Sequence, residues 1–320
     1  MEYPRTAAEF NRQFSTEEAC WGYLVKLRWP EGFRCPDCGN PKVWFTSNKL
    51  FRCGACESAV SVTAGTIFQD TRKPLKLWLQ AMWWVVGQKN GASAVGLNHV
   101  LGIGSDKTAW TWLHKLRRAM VRPGREPLTG EVEVDETCVG GVEKGGGRRH
   151  LGNKAMVVIA AEIRGKGIGR IRLKRIAEGS SDSLTTFIRE AVEKGGVIVS
   201  DGLQSYRSLP EHGYRHTRRI VEGRTKASTL LPRVHRVASL LKRWLLGTHQ
   251  GAVSREHLDS YLDEFAFRFN RRTSQHRGKL FYRLVQQAVA VGPAPYEAII
   301  KHVRGRQGSK HNRSGSLTSR

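Results

Sequence analysis

Glu131-Val-Glu-Val-Asp135 and Val197-Ile-Val-Ser-Asp201 are two short runs of strand-forming residues, each closing on an aspartate. A carboxylate at the end of a strand has a fixed direction. Two of them on neighbouring strands of one sheet can bracket a pair of divalent cations about 3.5 to 4 Å apart, the arrangement of metal-dependent phosphodiester chemistry. Side chains alternate along a strand, so Glu131, Glu133 and Asp135 share one face. Hard Mg²⁺ (or Mn²⁺) favours such oxygen ligands. Asp201 precedes Gly202, a pair that also signals a plain turn.

The elements around these strands follow in a readable order. After strand 131–137 come a glycine-rich hairpin (140–153), strands at 156–163 and 169–176, a helix over 183–194, strand 197–201, a strand near 214–221 and a helix from Val234 to Leu246. Three antiparallel strands, a helical crossover and a parallel strand give the ribonuclease H-like order with a mixed five-stranded sheet. On the late helix, Val234, Val237, Leu241, Trp244 and Leu245 fall on one side at 100° per residue. His235, Ser239 and Lys242 fall on the other. That face offers no carboxylate to complete an acidic triad; Asp263 and Glu264 are rival third acids.

Upstream, Cys35-Pro-Asp-Cys38 and Cys53-Gly-Ala-Cys56 are separated by fourteen residues. Two such knuckles supply the four thiolates of a tetrahedral structural Zn²⁺. Cys20 and Cys138 fit no ligand spacing and read as small core residues. Helices are expected over 75–86, 93–101 and 106–120, the last two joined by a turn through Gly102 and Gly104. These are helix-turn-helix proportions, with Lys107, Thr108, Lys115, Arg117 and Arg118 as candidate DNA contacts. The tryptophans of this region read as core anchors.

The 320-residue chain carries 53 Lys and Arg against 28 Asp and Glu, a net charge of +25. A surplus of that size makes nucleic acid the expected partner and a merely solubilising surface the rival explanation. The first residues show no secretory signal, and the longest apolar run, 78–87, is far short of a membrane span. A cytoplasmic, nucleoid-associated protein is expected. The chain divides into a helical segment (1–30), a zinc ribbon (31–70), a helix-turn-helix region (71–121), a Pro/Gly linker (122–130), a ribonuclease H-like domain (131–290) and a basic, disordered tail (291–320).

Read together, LRWPEGFRCPDCGN (27–40), FRCGACESAVSVTAGTIF (51–68), EVEVDETCVGG (131–141), VIVSDG (197–202), VHRVASLLKRWLLGTHQG (234–251) and YLDEFAFRFNRR (261–272) resemble the zinc-ribbon branch of bacterial insertion-sequence DDE transposases. The resemblance implies a catalytic domain binding two Mg²⁺, with Asp135 and Asp201 matching the first two acids. It places the third acid at His235 and the family's lysine at Lys242. It implies cleavage at element ends, transfer of the 3′-OH into target DNA, recognition of terminal inverted repeats, and a homodimer or larger assembly. The alternatives are a catalytically inactive, domesticated DNA-binding regulator, favoured by the imidazole at 235, and a ribonuclease H-like junction nuclease.

Overall fold

The computed structural model describes residues 3–122, 124–140, 154–220 and 227–300. Residues 141–153 of the expected hairpin and 301–320 of the basic tail lie outside them. Helices α1 (Ala7–Gln13) and α2 (Glu17–Arg28) lead into a three-stranded antiparallel ribbon, β1 (Val43–Phe45), β2 (Phe51–Cys53) and β3 (Ala59–Val60). Helices α3 (Leu75–Gly87), α4 (Ala94–Leu101) and α5 (Asp106–Ala119) follow. Ser93 and Ser105 cap α4 and α5 with their hydroxyls, and Gly102 ends α4 in the left-handed conformation at φ 60°, which glycine adopts at no steric cost.

The second half builds one sheet from β4 (Glu131–Val139), β5 (Ala155–Arg164), β6 (Gly167–Ile176), β7 (Val197–Ser200) and β8 (Arg215–Arg218), in the order β6-β5-β4-β7-β8. β5 runs antiparallel to both β4 and β6, and β7 and β8 continue parallel to β4. This is the ribonuclease H-like arrangement. Alternation decides the layers. Val132 and Val134 face helix α6 (Ser181–Ala191), packing with Leu184 and Ile188. Val157, Ile159, Ile171 and Leu173 face the opposite layer, α8 (Pro232–His249) and α9 (Leu258–Asn270), where Val237, Leu241 and Phe265 cover them. A short helix, α7 (Ala227–Leu230), precedes α8.

The chain end departs from the expected division. α10 (Arg277–Ala288) turns its buried Phe281, Leu284, Val285 and Ala288 into the helical core, alongside Phe10, Phe14, Trp78 and Met82. The apolar stripe of α10 fits the groove left by α2, α3 and α5, whereas both faces of the sheet are already covered. The last described helix, α11 (Tyr296–Ile300), lies against α5. Trp78 and Trp112 stack with ring centroids 3.7 Å apart inside this core, as anchors.

Candidate active site and metal centre

The ribbon brings four sulfurs together. The Sγ atoms of Cys35, Cys38, Cys53 and Cys56 all lie within 4.8 Å of one another, with Cys35–Cys56 at 3.6 Å and Cys38–Cys53 at 3.5 Å. Zn–S bonds of about 2.3 Å in a tetrahedron separate the sulfurs by roughly 3.8 Å, so the donor set fits Zn²⁺ with no open position. Cys20 is buried in the helical core. Cys138, expected in a core, is exposed near the end of β4.

In the sheet, β4 and β7 pair in parallel with Glu133 opposite Val199. Two residues further along that register, Asp135 is level with Asp201, just past the end of β7. Asp201 Oδ1 accepts the Leu203 amide at 3.0 Å, which turns the chain sharply after the strand. Burial raises the Asp135 pKa above the usual carboxylate range; His235 opposes that shift, and the negative charge of Asp201 adds to it. The two aspartates thus sense each other across the central pair of strands.

Glu136, the next residue of β4, lies on the opposite face with Val132 and Val134, close enough to the aspartates to feel their charge. Burial pushes its carboxyl up to about 7; a hydrogen bond donated by the Tyr206 hydroxyl pulls it down, and Asp135 and Asp201 push it up again. Tyr206 is fully buried in the core under α6 and sits on the turn that begins at Asp201.

Glu133 has a different employment. Its buried carboxylate accepts the backbone amides of Arg233 (2.8 Å) and Val234 (3.1 Å) and pairs with the Arg233 guanidinium at 2.8 Å. Helix α8 begins at Leu231-Pro232 without a side-chain cap of its own. Glu133 supplies it, from 100 residues away, and its charge suits the positive end of the helix dipole. The clamp fixes α8 against β4 and holds His235 Nε2 at 3.7 Å from Asp135 Oδ2. Lys242 lies about 10 Å further along the same face, exposed.

Other candidates are placed elsewhere. Glu264 is fully buried between Arg117 (2.8 Å) and Arg268 (2.7 Å) and is unavailable as a third acid near Asp135. Burial alone would raise its pKa, but the two guanidiniums outweigh that and hold it at about 2. Asp263 lines a groove with Arg122, Arg125 and Arg172. Arg117, expected on a DNA-facing surface, is only 1% exposed, because its partner is Glu264 and its guanidinium lies over the Tyr261 ring at 3.9 Å. Lys107 stacks on Tyr296 at 4.4 Å, and Arg118 donates to the Pro293 carbonyl at 3.4 Å. Lys115 is half-buried and Thr108 gives its amide to the Ser105 cap.

Among the described residues, no helix is long and apolar enough to cross a membrane. No curated protein matches the chain. Among solved structures, the catalytic core domain of BIV integrase aligns at 16% identity with a TM-score of 0.32, over 47% of this chain and 89% of that one. The Mos1 strand transfer complex aligns at 14% identity with a TM-score of 0.26, over 69% of this chain and 78% of that one. The model of the transposase zinc-ribbon domain matches residues 15–59, and that of the ISXO2-like transposase domain matches residues 127–270. The first match contains the cysteine cluster and the second contains the sheet, Asp135, Asp201 and His235, and together they span more than half of the sequence. The chain therefore belongs to the zinc-ribbon branch of the DDE-type transposases of insertion sequences.

Proposed function

We propose that this transposase cuts phosphodiester bonds at the ends of its element and joins the freed 3′-OH to target DNA, with Asp135 and Asp201 as ligands of a pair of Mg²⁺ or Mn²⁺ ions. The observation that carries the reading is the parallel β4–β7 register, which sets the two aspartates level at the ends of adjacent central strands, beside Glu136 and His235. The charge of Asp201 raises the proton affinity of Asp135, and both raise that of Glu136, an accumulation of negative charge that suits a hard divalent cation in a protein of net charge +25. Bound there, such ions supply the activation of the attacking oxygen and the stabilisation of the leaving one.

The protein's own groups do the rest. Glu136, held by Tyr206, adds a further negative charge near the two aspartates. His235 stands beside Asp135 on the open side of the site, where its imidazole can take the proton of the attacking water and return it to the leaving 3′ oxygen. Lys242, on the same face of α8, is placed to hold a phosphate of the scissile strand. The ribbon and the α4–α5 helix-turn-helix read the terminal inverted repeats, with Zn²⁺ as a folding element. Pairing two ends requires a homodimer or larger assembly acting at the nucleoid.

The test is cleavage and strand transfer on labelled element-end duplexes with Mg²⁺ or Mn²⁺. Asp135→Ala and Asp201→Ala are expected to lower both steps by at least a thousandfold while leaving DNA binding intact. Retention of full activity by either variant overturns the assignment.

A further inference from the structure

Two clefts meet at the corner between α9 and α10. The first, about 760 Å³, runs between the end of α3, the outer face of α8 and α9; Lys89, Arg243, Arg271, Arg272 and Arg277 line it together with Arg268, and no carboxylate does among the described residues. The second, about 720 Å³, lies between the linker, the edge strand β6, α9 and α10, and gathers Arg122, Arg125, Arg172, Lys279 and Arg283 around Glu126 and Asp263. Phe267, Arg271, Ser274 and Leu280 line both, so the clefts form one continuous belt.

Some of these cations are already neutralised. Arg268 pairs with Glu264, and Arg170 with Glu162 at 2.6 Å. Others are held rigidly with no carboxylate partner among the described residues. Arg271 and Arg272 lie over the rings of Phe267 and Phe269, each at 4.1 Å, and donate to the carbonyls of those same residues. Arg172 is 6% exposed and, among the described residues, donates to the carbonyls of Ile171 and Glu126. Burial, then the charges of Arg125 and Arg170, bring its pKa down to about 10. A freely solvated surface would let these arginines spread apart. Here aromatic floors and backbone carbonyls fix them in concave walls, at a cost in like-charge repulsion that a polyanion would relieve.

The location gives the belt its meaning. α8 presents His235 to Asp135 near its start and Arg243 to the first cleft, about 12 Å along the helix. α5, the second helix of the helix-turn-helix, is fastened to α9 through Arg117 and Glu264. The belt therefore lies along the seam between the DNA-reading helices and the carboxylate site. We infer that it is a sequence-independent track for the phosphate backbone of duplex DNA, carrying the duplex across the α9–α10 corner between the two modules. The inference rests on the transposase reading above for its direction, and on the belt itself for the chemistry.

The experiment measures binding of the full-length, zinc-loaded protein, without divalent cation beyond the zinc, to a fluorescent element-end duplex and to a random duplex of equal length, from about 50 to 200 mM salt. The triple variant Arg243→Gln, Lys279→Gln, Arg283→Gln removes three exposed belt cations. The control Arg5→Gln, Arg12→Gln, Lys26→Gln removes as much charge from α2 and from α1 and its approach. The belt variant is expected to bind about tenfold or more weakly, and its slope of log K against log salt is expected to flatten by about two to three, near one per lost phosphate contact, with the control little changed. The loss is expected to be similar for both duplexes, because the contacts are to phosphates; a loss confined to one of them would show sequence-dependent contact and overturn the track. Unchanged slope and affinity for both duplexes, or an equal loss in the control, overturns the track. If the belt variant loses binding while wild type never cuts element ends, the track stands and the catalytic reading falls.

Discussion

Arg117 sits in the interior with Glu264 at 2.8 Å and the face of Tyr261 beneath it, while Arg268 closes the other side of the same carboxylate. Removing one partner of such a pair leaves a buried charge uncompensated and costs roughly 3–5 kcal/mol. Glu264→Gln should lose about that much in chemical denaturation, and the double change Arg117→Met, Glu264→Met should recover most of it. A loss within experimental error in Glu264→Gln would show that water reaches the pair. The sequence could not reveal this. Arg117 stands beside Arg118 on a helix with a basic face, and its partner is 147 residues away, so composition alone counts it as a surface charge. Asp135 and Asp201 were legible because each closes a strand of known alternation. The raised proton affinity of Glu136 was not, because it depends on burial and on the Tyr206 hydroxyl, which periodicity does not encode.

At the level of elements, two helices borrow their caps. α3 begins at Pro74 with no side-chain cap, and the Glu17 carboxylate of α2 accepts the Leu75 and Lys76 amides at 2.6 and 3.0 Å. α8 borrows Glu133 in the same way. Each cap ties a helix start to a distant element, so it fixes position as well as helicity. Glu133→Gln keeps the size and loses the charge that pairs with Arg233. It should lower strand transfer more than tenfold while binding of the element-end duplex stays within twofold, because only the α8–β4 seat of His235 is disturbed. Equal loss of binding and transfer would instead indicate general unfolding. His235→Ala, in the same assay, should lower cleavage by on the order of a hundredfold, the lower range for a positioned proton carrier; undiminished cleavage would remove His235 from the mechanism. Helix and strand periods recovered α3, α4, α5, β5, β6 and α8 within a few residues of their observed bounds. The placement of α10 escaped, since an apolar stripe states that a helix is buried but not against which core.

For the whole molecule, the modules differ in what holds them. The ribbon's own core is Phe33, Cys35, Cys53 and Val60, too few apolar groups to fold a unit without its metal. Chelation should therefore unfold residues 31–60 and abolish recognition of element ends, while a separate, metal-independent thermal transition of the sheet and helical core persists; a single shared transition would contradict it. The seam between the large modules is instead expected to weaken in acid. His249 packs against Trp244 and Tyr261, and burial, then the charge of Arg117, lowers its pKa from 6.5 to about 4, with Glu264 opposing and Arg268 adding to the shift. Its depressed pKa contributes stability that is complete above pH 6.5 and is lost as pH falls to about 4, because the unfolded chain takes up the proton first. At 1.36 kcal/mol per unit the loss is on the order of 3 kcal/mol. Glu264, held at about 2 against an ordinary 4.5, extends the decline from pH 4.5 downwards. Glu136, raised to about 7, acts in the opposite direction between pH 7 and 4.5, so the wild-type curve alone mixes the two signs. The difference between wild type and His249→Phe isolates the seam. That variant keeps an aromatic ring between Trp244 and Tyr261, and its advantage over wild type should grow as pH falls from 6.5 to 4 and then level off. A difference that stays constant over that interval would mean that His249 is already solvated, and that protonation does not loosen the seam.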